Sequence, residues 1–535
     1  MKTMINSIIL ASCLALPLAS CSDSDAAPEQ KDWSTTTYFN SSDAAAQDTY
    51  YKPAVGYVGD PMPFFDPVAG DFKVLYLQDF RPNPEGTYHP IWGVSTKDAA
   101  HYTALGELVS CGTLKSQDAA IGTGSTIYDE TSKLYYTFYT GNKYKPTGDE
   151  SAQAVMVATS ADFKTWTKDR TFLIKGQDFG YDKNDFRDPF VFKGDDGKFH
   201  MLISTKKGGK GSLAEFVSDD LKNWTDNGVF MTMMWDRFYE CPDLFKMGDY
   251  WYLVYSELHH AVRRVQYFKG RTLDELKACT ANDAGIWPDA HEGFLDSRGL
   301  YAGKTASDGT NRYLWGWCPT RSGKDNTAVG ASPAEPEWAG NLVCYKLIQH
   351  EDGTLTLGQV DAVSEKYNQD VAVEVKESLN MTEADGTYTL AGNAEQPYAY
   401  MLMGRLGSHN KISFTVTTSN KRDKFGISMV RGSDSKKYYT MVVNPEDENN
   451  RKVNFEEQGV EGKGFIAGID GYVFARPADN VYNVTIYTDN SICVMYINDV
   501  CSYTNRIYGI QKNCWSINSY NGANVKISNL KISQY

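Results

Sequence analysis

Beyond its first twenty residues the chain has no apolar run of the length a membrane-crossing helix needs, and long stretches of helical periodicity are scarce. Positive charge is in deficit. Against 67 Asp and Glu stand 53 Lys and Arg, a formal net charge of −14, and no basic stripe concentrates what there is. A phosphate backbone is repelled by that field, so nucleic acid is not an expected partner, whereas an uncharged ligand meets no such barrier. Metal-ligand spacing is missing too. After Cys13 and Cys21 come Cys111, Cys241, Cys279, Cys318, Cys344, Cys493, Cys501 and Cys514, which fit no zinc pattern. A chain of 535 residues needs no disulfide framework, so most of these read as buried thiols, and no metal or cofactor is expected. What is plentiful is Tyr, with 35 residues, and Gly, with 45; strands joined by turns, an all-β fold, follow from that, and two domains from the length.

Residues 1–21 begin with Lys2 and an apolar run and end in Leu18-Ala19-Ser20-Cys21, which resembles a bacterial lipobox. The expectation is a lipoprotein signal peptide, then Cys21 carrying lipid, so that the protein is held in the cell envelope and meets the membrane through that anchor. The polar stretch 22–44 suits a flexible tether.

From residue 45 a hairpin-like unit recurs at the spacing of propeller blades, each a strand, a turn rich in Gly, Asp or Asn, and an aromatic-rich strand. Pro61–Gln78, Ser125–Tyr139, Pro189–Ile203, Pro242–Tyr255 and Leu300–Trp317 are the five copies, with second hairpins between them at Ala154–Trp166 and Ala214–Trp224. Four strands in each of five units predict a five-bladed β-propeller over 45–362. A linker over 363–376 follows, and short alternating strands such as Lys411–Thr417 and Ile492–Ile497 then predict a β-sandwich over 377–535. Its aromatics, among them Tyr496, Tyr503 and Trp515, read as core.

The repeat also places acids. Asp60, Asp188 and Glu240 stand at or just before the first strand of their units, and first strands line the channel of a propeller, so the three carboxylates are expected to converge on the axis. An isolated Asp-Pro is an ordinary turn starter, and it is the shared blade position that separates these from such turns. Paired carboxyl groups are what glycosidic bond cleavage requires, one to protonate the leaving oxygen and one to attack or to activate water.

Three motifs in order resemble family 32 of the glycoside hydrolases, the β-fructosidases. Gly56-Tyr57-Val58-Gly59-Asp60-Pro61-Met62-Pro63 is similar to the family's Trp-Met-Asn-Asp-Pro-Asn-Gly, Phe186-Arg187-Asp188-Pro189 to its Arg-Asp-Pro, and Tyr239-Glu240-Cys241-Pro242 to its Glu-Cys. Leu75–Gln78, Trp92-Gly93, Gly122–Ser125, Tyr301-Ala302 and Trp315–Trp317 resemble further elements. The resemblance implies retaining hydrolysis of β-fructosidic bonds in fructans or sucrose-like sugars. In it Asp60 is the nucleophile, Glu240 the acid and then the base, and Asp188 an ionised carboxylate held by Arg187 that grips sugar hydroxyls. Gln78, Trp92, Thr123, Arg187 and Tyr301 would bind substrate. The sequence departs from the pattern at Gly59, where the family has Asn, at Met62-Pro63 after the nucleophile, and at Gly303-Lys304, where the family has Pro-Gln. Two other readings fit the same acids: a family 43-like inverting enzyme acting on arabinosides or xylosides, and a non-catalytic surface lipoprotein that captures glycans.

Overall fold

The computed structural model describes residues 49–535 except 82, 84, 234–237, 258–263, 280–291, 322–335, 432–437, 446–452, 459–464, 467–473 and 475. The expected signal peptide, Cys21 and the tether 22–44 therefore lie outside the described residues.

Among the described residues, twenty strands between Tyr57 and Gly358 group four by four in chain order, spanning 57–109, 120–168, 186–232, 240–295 and 301–358. The innermost strands, Tyr57–Asp66, Ala120–Asp129, Phe186–Lys193, Glu240–Met247 and Tyr301–Ser307, neighbour one another in a closed cycle, as the blades of a propeller must. We number the blades 1 to 5 in that order. The expected hairpins Ala154–Trp166 and Ala214–Trp224 each contain part of a third strand and the turn toward the fourth.

Alternation along the second strands explains their nearly unbroken apolar sequence. In blade 1, Val74 and Tyr76 face the core shared with blade 5 while Leu75 and Leu77 face the core shared with blade 2. Blade 3 repeats this with Met201 and Ile203 on one side and Leu202 on the other, so each such strand is buried on both faces. The ring closes where Val58 pairs with Gly340, joining blades 1 and 5 in one eight-stranded sheet. The incoming chain reinforces the closure, because the Tyr51 carbonyl accepts from Leu342 N at 2.8 Å and the Tyr50 carbonyl accepts from Asn341 Nδ2 at 3.0 Å.

An eight-stranded and a seven-stranded antiparallel sheet form the second domain, packed face to face over a core that includes Met401, Ile412, Phe414, Ile427, Ile517 and Ile527. Tyr503 and Trp515 lie in that core, and Tyr496 lies in the core shared with the propeller. The expected linker 363–376 carries the end of a helix, Asp361–Lys366, and a strand, Gln369–Val371, that pairs with the final strand of the sandwich.

Candidate active site

One backbone irregularity recurs in the innermost strands and builds the site. In blades 1, 3, 4 and 5 the pairs Asp60-Pro61, Asp188-Pro189, Cys241-Pro242 and Ala302-Gly303 each oppose a single residue of the second strand, a β-bulge. The first residue of every pair has positive φ: 32° at Asp60, 57° at Asp188, 51° at Cys241 and 52° at Ala302. For residues that are not glycine this conformation is strained, by about 1–3 kcal/mol each, and it persists because packing on both faces of the strand holds it. Proline is tolerated there because a bulge spares it the ladder hydrogen bond it cannot donate. In blade 2 the register shifts between Gly122 and Gly124, around Thr123. The acids thus lie inside or at the start of their strands, and Glu240 is not the equivalent of Asp60 and Asp188. Cys241 is. Glu240 belongs to the position just before the bulge, together with Gly59, Arg187 and Tyr301.

Two layers of side chains result. In the pre-bulge layer Arg187 Nη2 donates to Glu240 Oε1 at 2.8 Å, and the Tyr301 hydroxyl donates to Glu240 Oε2, so equivalent positions on blades 3, 4 and 5 are bonded in sequence. Arg187 is steadied by Asp185 Oδ1 at 2.7 Å and by the Phe238 ring, 3.9 Å from its guanidinium carbon. In the bulge layer Thr123 Oγ1 donates to Asp60 Oδ2 at 2.7 Å and Trp317 Nε1 to Asp60 Oδ1 at 2.9 Å. Asp188 Oδ2 accepts from the Cys241 backbone N–H at 2.9 Å. The expected grip of Arg187 on Asp188 is corrected by this geometry: its hydrogen bond goes to Glu240, one layer above.

All three acids line one cavity of about 260 Å³, with Thr123, Arg187, Tyr301, Asn142, Tyr88, His89 and Trp338 among its walls. Burial pushes the Asp60 carboxyl up, as does the charge of Glu240, while the Thr123 and Trp317 hydrogen bonds pull it down. Asp188 is pushed up to about 6, by burial first and then by Glu240 and Asp60, against the opposing pull of Arg187. Burial also pushes the Cys241 thiol up, which makes it an inert wall rather than a nucleophile.

Gln78 and Trp92 do not line this cavity. Gln78 is fully buried and donates from Nε2 to the Val55 carbonyl at 2.6 Å, bracing the chain that leads into blade 1. The Trp92 indole lies 5.9 Å from the Phe80 ring, on the flank of the blade 1 core. Residues that the motifs do not mark take their place. The Trp338 indole stacks on His89 at 4.1 Å and covers Gly59, where a Cβ would come within 2.2 Å of the ring. The departure from Asn at Gly59 is thereby explained sterically: an indole from blade 5 fills the space a side chain would need. Trp338 is 279 residues from Gly59, and only ring closure brings them together.

Residues 50–360 match the description Glycosyl hydrolases family 32 N-terminal domain, and residues 353–532 match GH32, BT1760-like, C-terminal domain. An insoluble-isoenzyme β-fructofuranosidase of Arabidopsis thaliana is 26% identical over 320 residues, 54% of this chain and 51% of that protein. The chain spans about half the length of the curated relatives it matches. Among solved structures, sucrose-6-phosphate hydrolase of Lactobacillus gasseri superimposes with a TM-score of 0.65 at 18% identity, covering 93% of each chain. Exo-inulinase of Aspergillus awamori does so with a TM-score of 0.66 at 16% identity, covering 91% of this chain and 98% of that one. At such identities these likenesses speak to the fold.

Proposed function

The chain belongs to glycosyl hydrolase family 32, and from that premise we propose that it hydrolyses β-fructosidic bonds in fructans or sucrose-like oligosaccharides with retention of configuration. The observation that carries the reading is the pair Asp60 and Glu240 on one small cavity, each held by two donors and differently placed relative to the bulge. In the first step Asp60 attacks the anomeric carbon while Glu240 gives its proton to the leaving oxygen, which leaves a fructosyl ester on Asp60. In the second Glu240 takes a proton from water, and the hydroxide equivalent displaces Asp60. Asp188, whose carboxylate accepts the Cys241 backbone N–H, has lone pairs left for sugar hydroxyls, a contact that tightens as the ring flattens toward the transition state.

Incubation with sucrose, inulin, levan and arabinan tests the substrate class. Fructose release from at least one of the first three supports the reading, and pentose release alone or silence on all four overturns it. Glu240→Gln is expected to lose roughly 10²–10⁴-fold in turnover, as general acid–base catalysis usually contributes, and Asp60→Asn to form no intermediate, both with unchanged thermal unfolding. The envelope location proposed from the leader is tested separately: Cys21→Ser abolishes incorporation of labelled fatty acid if the anchor is there.

A further inference from the structure

Beneath the two layers lies a third, formed by the residues just past the bulges, and it contains a buried lysine. Lys304 of blade 5 is 2% exposed, and its ammonium reaches across the channel to donate to the Gly124 carbonyl of blade 2 at 2.8 Å, passing 5.3 Å from the Phe190 ring of blade 3. Placing an ammonium in the interior costs several kcal/mol unless nearby negative charge compensates it. The carboxyl groups that face it are Asp60 from blade 1, Asp188 from blade 3 and Asp243 from blade 4, with the neutral Cys241 thiol beside them; burial pulls the ammonium's pKa down and these groups pull it back up. Asp243 is itself engaged, accepting from Thr305 N at 2.7 Å and lying in the field of Arg312. Above this layer the guanidinium of Arg187 is bonded to Glu240 and Asp185. Asp60 and Asp188, in contrast, receive hydrogen bonds from neutral donors, namely Thr123, Trp317 and the Cys241 N–H; through space Glu240 repels both, while His89 favours ionised Asp60 and Arg187 favours ionised Asp188.

We propose that Lys304 is a positioning residue whose buried positive charge lets Asp60 and Asp188 be ionised together in one small cavity. It touches no substrate. It acts by offsetting the negative potential that each carboxylate feels from the other, which a hydrogen bond to a carbonyl alone could not do. The inference deepens the fructosidase reading and rests on it, since it is the attack by ionised Asp60 that makes the counter-charge matter.

The test compares the pH dependence of kcat/KM for the wild type, Lys304→Met, Lys304→Gln and Lys304→Arg on whichever fructoside the wild type cleaves. The Gln variant keeps a donor for the Gly124 carbonyl and loses only the charge. Met and Gln are expected to move the acid limb up by about one pH unit, an activity loss of about tenfold on the acid side that shrinks on the alkaline side, while Arg stays near the wild type. An acid limb that stays in place in a folded Gln or Met variant overturns the proposal. A wild type without fructosidase activity overturns the underlying reading instead, so the two failures are distinguishable. Should the uncharged variants fail to fold, ¹⁵N-lysine spectra of the wild type decide: an ammonium signal for Lys304 at the working pH supports the proposal, and a neutral amine signal defeats it.

Discussion

Glycine 59 shows how a single residue sets the shape of the pocket. A side chain there collides with Trp338, whose ring is also stacked on His89 and whose carbonyl accepts from Arg81. Gly59→Asn, which restores the family's residue, is expected to cost about 1–3 kcal/mol of stability, the usual penalty of overpacking, and to lower kcat/KM. In Gly59→Asn combined with Trp338→Ala most of the stability loss should be recovered, and thermal unfolding of the four proteins of that cycle measures the coupling. Asp188 gives a prediction with a pH sign. Its carboxyl is held at about 6 when folded, above the value of about 3.9 in an unfolded chain, so the folded state binds the extra proton between those limits. Stability from this group is fully present below about pH 4 and is lost as pH rises through 6. Asp188→Asn is therefore expected to unfold at higher temperature than the wild type at pH 7, by a margin equivalent to about 1–3 kcal/mol, with the margin vanishing near pH 4 and activity lost throughout. Much of this residue scale is legible in the sequence: Asp60, Asp188, Glu240, Thr123, Arg187 and Tyr301 all line the cavity. Trp338 and His89 are not legible, because no local pattern distinguishes an aromatic that reaches the axis from one that fills a blade. Gln78 and Trp92 stand beside the right motifs, but their strands turn them into the packing around the site.

At the scale of the strand, the bulge is the device that matters. It turns two successive side chains toward the channel where a regular strand would offer one, and so a pre-bulge layer of Arg187, Glu240 and Tyr301 can sit above a layer of Asp60, Asp188 and Thr123. Two residues of the blade 2 bulge explain its precision. Gly124 allows an approach in which a Cβ would lie 1.8 Å from the Phe138 carbonyl oxygen, and its neighbour Thr123 holds Asp60. Gly124→Ala should displace Thr123, lower the melting temperature, and reduce kcat/KM more than Thr123→Ser, which keeps the hydroxyl; kinetics on the two purified variants check the order. Xaa-Pro dipeptides in blades 1, 3 and 4 are the trace the bulges leave in the sequence. The offset of Glu240 shows there only as spacing, two residues before its proline where Asp60 and Asp188 stand one before theirs, and it is the register of the partner strand that gives this spacing its meaning.

At the scale of the whole molecule, a buried arginine ties the sandwich to two strands of blade 5, one of which carries Trp317. Arg506 of the sandwich is 1% exposed and donates to the Cys318 carbonyl at 2.8 Å, the Pro319 carbonyl at 2.9 Å and Asn341 Oδ1 at 2.7 Å. Cys318 follows Trp317, the residue that donates to Asp60, so the second domain buttresses the strand that orients the proposed nucleophile. Arg506→Met leaves several buried acceptors unpaired and is expected to cost about 2–5 kcal/mol, with a fall in kcat that a remote surface substitution would not cause; calorimetry and kinetics on one preparation separate the two effects. Two domains and their classes follow from repeat spacing and alternation, whereas this interface does not, since residues 492–497 alternate between the sandwich core and the propeller and read only as a continuous apolar strand. A covalent fructosyl intermediate on Asp60 is read from the stereochemistry of transfer. With a β-fructoside as donor and methanol as competing acceptor, methyl β-fructoside is the expected transfer product by NMR, and the α-anomer, or hydrolysis with prompt inversion, rules the intermediate out.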